Sequence, residues 1–443
     1  MSSSARSANR DARWAALWVI ALIALATVFG WKVLGQNVAA RLDGRRMLRP
    51  DEATALDAFG RLRTSPPYTL FETTNQYDAS PLLWETVLTA TGSSTHLPNE
   101  SSVRLRVAAS GDKVVRQSRA YSRYRPGKSL LVALTMVMGT PAANVRRRAG
   151  YFDASNGIFL EESGTTVNIV RRTFTSGAAV DNAVAQASWN VDKLDGTGFS
   201  GKILDLAKAN ILMVDLQWLG VGRVRVGFDI DGTFYPAHQF LNANSLSTVY
   251  MTTANLPLRY EVEATGAIGG AADLVAICST VASEGGYELE YGYQRSSGSI
   301  TPISVTTRRP VRSIRPKATF NSIVNRGQII AESIDVTAAT NNCYWELVYG
   351  GVLTGASFGS AGTNSIAETD VAATAISGGD VILSGFVVAG AGSSRSQTTA
   401  SPLSRLPLTV DIAGANPIPL TLVATSFTGT CSLTSAITWR ELW

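Results

Sequence analysis

Side chains that usually carry catalysis or hold metals are scarce in this chain. Among 443 residues there are two histidines and three cysteines, and charged residues make up 16%. Cys278, Cys343 and Cys431 lie far apart without C-x-x-C spacing, so neither a zinc site nor a disulfide framework follows from them. One pair can bridge if the fold brings it together, but buried free thiols are the expectation. No G-x-S-x-G elbow is present. His238 alternates with Phe234, Pro236 and Phe240 and reads as a core or rim histidine with one hydrogen bond, and His96 sits in the Ser/Thr-rich loop Gly92 to Pro98. Arg125-Pro-Gly-Lys-Ser129 ends like a phosphate loop, yet Ser122 stands where the leading glycine belongs and a strand should follow it. Asp229-Ile-Asp231-Gly232 lacks the later ligands of a calcium loop and reads as a turn. No cofactor, no metal and no catalytic residue is expected. One kind of enzyme survives this filter, because a glycosidase needs only two carboxylates and Glu161, Glu162, Asp192 and Asp195 are available.

Clustered positive charge is also missing. The formal net charge is +5, modest for this length. Its densest run is Arg146-Arg147-Arg148, and Arg171-Arg172 and Arg308-Arg309 are isolated pairs without interleaved aromatics. Nucleic acid is therefore not an expected partner. These arginines read as solvated strand faces or as partners of scattered Asp and Glu.

Gly, Ser, Thr, Val and Ala dominate, and short alternating runs are cut by glycine and proline signals every ten residues or so. That pattern predicts an all-β chain of β-sandwich or jelly-roll-like domains. Strands are expected at Ser102 to Ala108, Val114 to Tyr121, Ser129 to Met138, Gly157 to Glu161, Thr166 to Thr173, Ile211 to Trp218 and Arg259 to Ala264. Further strands follow at Leu274 to Thr280, Tyr287 to Tyr293, Ile329 to Val336, Trp345 to Val348, Val381 to Val388, Leu408 to Ile412, Leu420 to Thr425 and Ala436 to Leu442. The run Gly266 to Ala272 marks a boundary between a domain over 65–265 and a second over 266–443.

The clearest structural grammar lies in Asp215 to Asn255, which contains a β-hairpin. Arg223 to Asp229 alternates strictly, with Val224, Val226 and Phe228 on one face. A two-residue Asp231-Gly232 turn sets Val226 and Phe228 opposite Ala237 and Tyr235, mixing apolar and polar partners. A three-residue loop, Ile230-Asp231-Gly232 with Gly232 left-handed, pairs Phe228 with Phe234, Val226 with Pro236 and Val224 with His238, and is the preferred register. Pro236 places its strand at an edge or at a bulge.

Ahead of the β region, residues 1–13 form a polar tail carrying Arg6, Arg10 and Arg13, and Trp14 to Trp31 has no charge. Eighteen residues at helical rise span about 27 Å, close to the hydrocarbon thickness of a bilayer. Tryptophans stand near both ends, as interfacial aromatics do. This segment is expected to be an uncleaved N-terminal hydrophobic helix, held in a membrane or packed in an apolar collar. Residues 32–64 favour a short helical stalk or linker, with Pro50-Asp51-Glu52 as a helix start.

An ordered set of short runs points to a family. Asp57-Ala-Phe-Gly-Arg-Leu-Arg63, Leu70-Phe71 and Tyr124-Arg-Pro-Gly-Lys-Ser129 come first. Gly150-Tyr-Phe-Asp153, Asn156-Gly-Ile-Phe-Leu160, Ser188-Trp-Asn190, Asp195-Gly196 and Trp218 to Phe228 follow in order. Then come His238-Gln-Phe-Leu-Asn242, Leu256-Pro-Leu-Arg-Tyr260, Ala424 to Gly429 and Trp439-Arg-Glu441. Together, over about residues 57–443, they resemble a virion structural protein family of tailed bacteriophages and some large DNA viruses. The resemblance implies a β-rich, fibre- or spike-like particle component without enzymatic activity, from which no catalytic residues carry over.

The expected function is thus that of an N-terminally anchored spike, fibre or decoration protein of a virion. Other virion proteins are its expected partners, and a homo-oligomer, a trimer by analogy with viral fibres, its expected assembly. The alternatives are an adhesin module for a host glycan or protein, separable by glycan arrays, and a carbohydrate-active enzyme, separable by release of sugars from host polysaccharide.

Overall fold

The structure is a computed structural model that describes residues 40–42, 48–50, 66–286, 291–390, 395–399 and 406–443. Two compact units divide after Ser65. Trp14 to Trp31 lies outside the described residues, as does most of the expected stalk. Within the stalk, Ala40–Leu42 and Leu48–Pro50 pair as an antiparallel ribbon instead of a helix.

From Pro66 onward the described chain is all β, with two short 3₁₀ turns and no α-helix among the described residues. All strand pairs are antiparallel, and they build two sandwiches. In the first, a seven-stranded sheet runs in the spatial order Val180–Ala185, Thr166–Thr173, Gly157–Gly164, Ala142–Phe152, Leu258–Ala264, Lys113–Ser118, Trp84–Thr89. Its eight-stranded partner runs Thr233–Phe240, Val224–Ile230, Asn210–Leu216, Leu130–Val137, Ala272–Ser283, Ser102–Val107, Ser93–Leu97. Tyr68–Thr73 supplies the eighth strand, because Ala272–Ser283 pairs with Ser102–Val107 over its first half and with Tyr68–Thr73 over its second. A bulge at Ile277 and Cys278 marks the exchange, and Asn75 Nδ2 donates to the Ile277 carbonyl there. Alternation explains the core. Leu130, Val132, Leu134 and Met136 of one strand all face inward, against Ile158, Leu160 and Tyr151 of the opposite sheet.

The second sandwich pairs a five-stranded sheet (Tyr293–Gly298 and Ile303–Val305, Cys431–Leu442, Gln328–Thr340, Arg395–Thr399) with a six-stranded one. The latter runs Gly359–Ser360, Ala367–Asp370, Arg309–Pro316, Leu420–Ser426, Cys343–Tyr349, Asp380–Val387. Trp345, Leu347, Ile334, Ile437 and Trp439 fill its core. Cys343 and Cys431, on opposite sheets, are joined in a disulfide, which corrects the expectation of buried free thiols. Cys278 stays free and half-buried. Nothing local announces the bridge, since 88 residues separate the two sulfurs in sequence.

The break between sandwiches falls after Ser283, not at Gly266. The glycine-rich run is the corner at which the chain leaves the seven-stranded sheet at Ala264 and enters the eight-stranded one at Ala272. Most expected strands are present, some longer than expected, as Gln328–Thr340 and Cys431–Leu442 are, and others shorter, as Lys113–Ser118 and Leu130–Val137 are. Leu408 to Ile412 makes only isolated bridges, through Leu408 and Val410. In the run Tyr287 to Tyr293, residues 287–290 lie outside the described set, and a strand begins at Tyr293. Ala142–Phe152 was missed because its three arginines hide the alternation.

The hairpin has the rejected turn and still matches its apolar faces. Ile230 pairs with Thr233 across a two-residue turn, so Phe228 meets Tyr235 and Phe234 lies on the other face. A bulge opposite Val226 and Gly227 then takes up one residue, Ala237, and restores the pairs Val226 with His238 and Val224 with Phe240. The strand Thr233–Phe240 is also an edge, so Pro236 sits where both of its tolerated contexts coincide. Asp231 and Gly232 both have positive φ, 56° and 77°, as a type I′ turn requires. Gly232→Val should cost about 1–2 kcal/mol in urea denaturation, because a β-branched residue is strained at positive φ.

Candidate functional site

The strand Ala142–Phe152 sorts its arginines by face. Arg148 lies across from Glu161 on one side and Glu261 on the other, and Arg147 across from Glu162. Successive residues point to opposite faces, so Glu161 and Glu162 cannot act on one substrate. Glu162 points into the core with no exposure and is paired with Arg147. Arg147 also donates to the carbonyls of Asp273 and Thr140 at 2.8 and 3.2 Å. Burial pushes the Glu162 carboxyl up, against the pull of Arg147.

The outer face carries a ladder of ion pairs. Glu261 is 2% exposed and accepts from Arg259 Nε at 3.0 Å, with Lys113 Nζ at 3.0 Å and Arg148 Nη1 at 3.2 Å. Arg148, Arg172 and Arg259 lie over Phe159 and Phe152, their guanidinium carbons 5.1–5.6 Å from the ring centroids. Arg172 is also fixed by Asp181 at 2.7 Å. Of the two bland readings of these arginines, pairing describes them and solvation does not. Burial alone would raise the Glu261 carboxyl, but Arg259, Lys113 and Arg148 outweigh it and hold it near 2, down from 4.5. A depressed carboxylate stabilises the fold above its unfolded value and loses that contribution as pH falls through the folded one. Lowering the pH from about 5 to 2 should therefore remove on the order of 3 kcal/mol. Urea denaturation of wild type and Glu261→Gln across that window should show a flatter pH profile for the variant.

The other carboxylates and basic pairs proposed from sequence are likewise structural. Asp192 is buried and accepts from the Leu194 and Ser200 amides, both at 2.9 Å. Asp195 accepts from the Thr197 amide at 2.9 Å in a surface turn. Arg308 pairs with Glu346, and Arg171 lies over Phe240. His238 is 6% exposed, accepts one bond from the Asn190 amide and packs edge-on to Phe240. Its pKa is lowered by burial and then by Arg171, which suits a core histidine. His96 bonds the Asn75 carbonyl. Arg125 to Ser129 is a turn closed by the Lys128 amide on the Arg125 carbonyl and leads into Leu130–Val137. In the hairpin, Asp229 Oδ1 accepts from the Gly232 amide, as a turn residue does. Among the described residues no group of three His, Cys, Asp or Glu side chains is placed to hold a metal.

No family model matches the chain. No curated protein matches it either. Solved structures with partial likeness include a GH43 glycoside hydrolase engineered for endo-xylanase and exo-arabinofuranosidase activity (13% identity, TM-score 0.30), of which the likeness covers 48%, against 55% of this chain. A glycoside hydrolase family protein from Mycobacterium thermorestibile is alike over 48% of this chain and 99% of its own, at 12% identity and a TM-score of 0.34. A legume lectin-like domain from Entamoeba histolytica is alike over 50% of this chain and 98% of its own, at 8% identity and a TM-score of 0.29. Likeness at this level assigns no activity.

The remaining candidate is a cleft of about 410 Å³ where the two sandwiches meet. Tyr68, Leu70, Glu72 and Arg119 line it from the first, and Gln328, Ile330, Tyr349 and Leu442 from the second. The junction beside it is held by polar contacts. The Ile412 amide donates to Glu85 Oε2 at 3.0 Å, and Arg326 lies 4.8 Å from the Tyr121 ring centre. Tyr349 is 4% exposed, and burial, opposed by Arg119, pushes its hydroxyl up to about 12. The phenol is therefore neutral at physiological pH. Sequence reasoning missed this site because its walls come from strands more than 200 residues apart. The one available signal was the alternation of Trp345, Leu347 and Tyr349, which carries the strand one residue past its expected end.

Proposed function

We propose that the protein is a non-enzymatic structural component of a virion, an outward-facing spike, fibre or decoration protein attached through its N-terminal segment. The observation that carries this reading is the work done by the runs that resemble the virion family. They tie loops together. The Tyr151 hydroxyl donates to the carbonyls of Ser122 and Ala254, at 2.9 and 2.8 Å, and accepts from the Leu256 amide at 3.1 Å. Asn242 donates to the Gly222 carbonyl and Asn156 to the Thr252 hydroxyl, while Tyr124 packs edge-on to Trp218. Such groups serve a scaffold, and the four carboxylates offered for glycoside hydrolysis are committed elsewhere, which weighs against the carbohydrate-active reading.

Homo-oligomerisation, as a trimer, belongs to the same proposal. On the six-stranded sheet Tyr344, Phe386 and Phe427 form a chain of rings with centroids 5.4 and 5.8 Å apart, and Phe386 and Phe427 are 65% and 54% exposed. Phe386 lies on the strand Asp380–Val387, an edge of its sheet among the described residues. A neighbouring copy would cover both the rings and that edge. Mass spectrometry of purified particles, with and without detergent extraction, tests the assignment, and absence of the protein from them would overturn it. Light scattering of residues 57–443 at micromolar concentration should give a multiple of the monomer mass; a monomer would remove the oligomer from the proposal.

A further inference from the structure

The geometry points to the cleft between the sandwiches as a binding site for an uncharged saccharide. This deepens the reading of the protein as an outward-facing particle component, on which the choice of a cell-surface ligand rests. Four features of the cleft select the ligand class. Its volume, about 410 Å³, lies within the range of small-molecule sites, and such sites favour domain junctions. Its polar groups are of the kind that bind hydroxyls. Tyr349 is 96% buried, and its hydroxyl makes no hydrogen bond among the described residues although it lines the cavity. A ligand hydroxyl can meet that phenol as donor or acceptor. Gln328 spends its amide nitrogen on the Tyr121 carbonyl, which leaves its carbonyl oxygen to accept. Arg119 is already committed to Glu85 at 3.6 Å and to the Pro81 carbonyl at 3.0 Å, and Glu72 lines the same wall, so an anion is not favoured. Between them Leu70, Ile330 and Leu442 supply the apolar surface on which the C–H face of a sugar ring rests.

Full-length protein, solubilised in a detergent without a sugar headgroup, is titrated with lactose, maltose, cellobiose and N,N′-diacetylchitobiose by saturation-transfer NMR and calorimetry. Glucuronic acid and 3′-sialyllactose serve as charged comparisons. At least one neutral disaccharide should bind in preference to the charged sugars. Tyr349→Phe, which keeps the ring and the packing, should weaken that binding about tenfold, and Ile330→Trp, which fills the cavity, should abolish it while thermal unfolding stays unchanged. The assignment is overturned if no neutral disaccharide binds, if only the charged sugars bind, or if binding is indifferent to both variants. Particles that contain the protein while no neutral sugar binds would remove the cleft assignment alone. Binding by a protein absent from particles would remove the virion reading alone.

Discussion

Reduction of the Cys343–Cys431 bond should lower the unfolding free energy of the second sandwich by about 4–5 kcal/mol, as the loop-entropy account gives for a bridge between residues 88 apart in sequence. The bond joins the two sheets through their cores, with both cysteines fully buried beside Trp345 and Leu433. Its loss therefore frees an ensemble in which Cys343–Tyr349 and Cys431–Leu442 need not start near each other. Guanidinium denaturation followed by tryptophan fluorescence, with and without reductant, reads the effect, and Cys431→Ala should reproduce it. A difference below about 1 kcal/mol would show that the bridge adds little to the packing around it. The bond also bears on where the protein matures, because structural disulfides persist in oxidising surroundings.

Replacing Glu162 by Ala should cost about 3–5 kcal/mol, since Arg147 would stay behind as an unpaired charge inside the first sandwich. The double variant Arg147→Met, Glu162→Leu removes both charges and keeps the volume, so it should recover most of that loss. Urea denaturation of the two single variants and the double closes the cycle. Additive losses would show that the two side chains do not act as a pair.

These two predictions rest on features that the sequence displays unequally. The β class was legible, because period-two runs such as Leu130 to Met136 and Val224 to Phe228 survive any choice of partner. One piece of turn chemistry was legible too, the left-handed Gly232, although the two-residue turn that contains it was passed over for a three-residue loop. Register was not. The hairpin pairs as it does because Ala237 bulges, and a bulge is a compromise between two strands that neither strand states. For Arg146-Arg147-Arg148 the sequence left solvation and pairing both open, and only the neighbouring strands, with Glu162 facing Arg147 and Glu161 and Glu261 facing Arg148, decide for pairing. The glycine-rich run at Gly266 looked like a boundary because a corner between sheets and a linker between domains use the same residues. The cleft was invisible for a further reason. Arg119 and Tyr349 meet only through the packing of one sandwich on the other, and no short window of sequence contains both.

The strand exchange along Ala272–Ser283 has a consequence for synthesis. Among the described residues, Tyr68–Thr73, the first strand of the sandwich, pairs with residues 279–283, among the last of that sandwich to be made. Until Ser283 leaves the ribosome, that edge is not there for the strand to join, and Phe71 and Leu70 have no finished core to enter. Closure therefore waits on about 210 residues of chain, at a loop-closure cost that grows only slowly with length. A nascent chain arrested before Leu274 should remain open to protease at Tyr68–Thr73, and one arrested well beyond Ser283 should not.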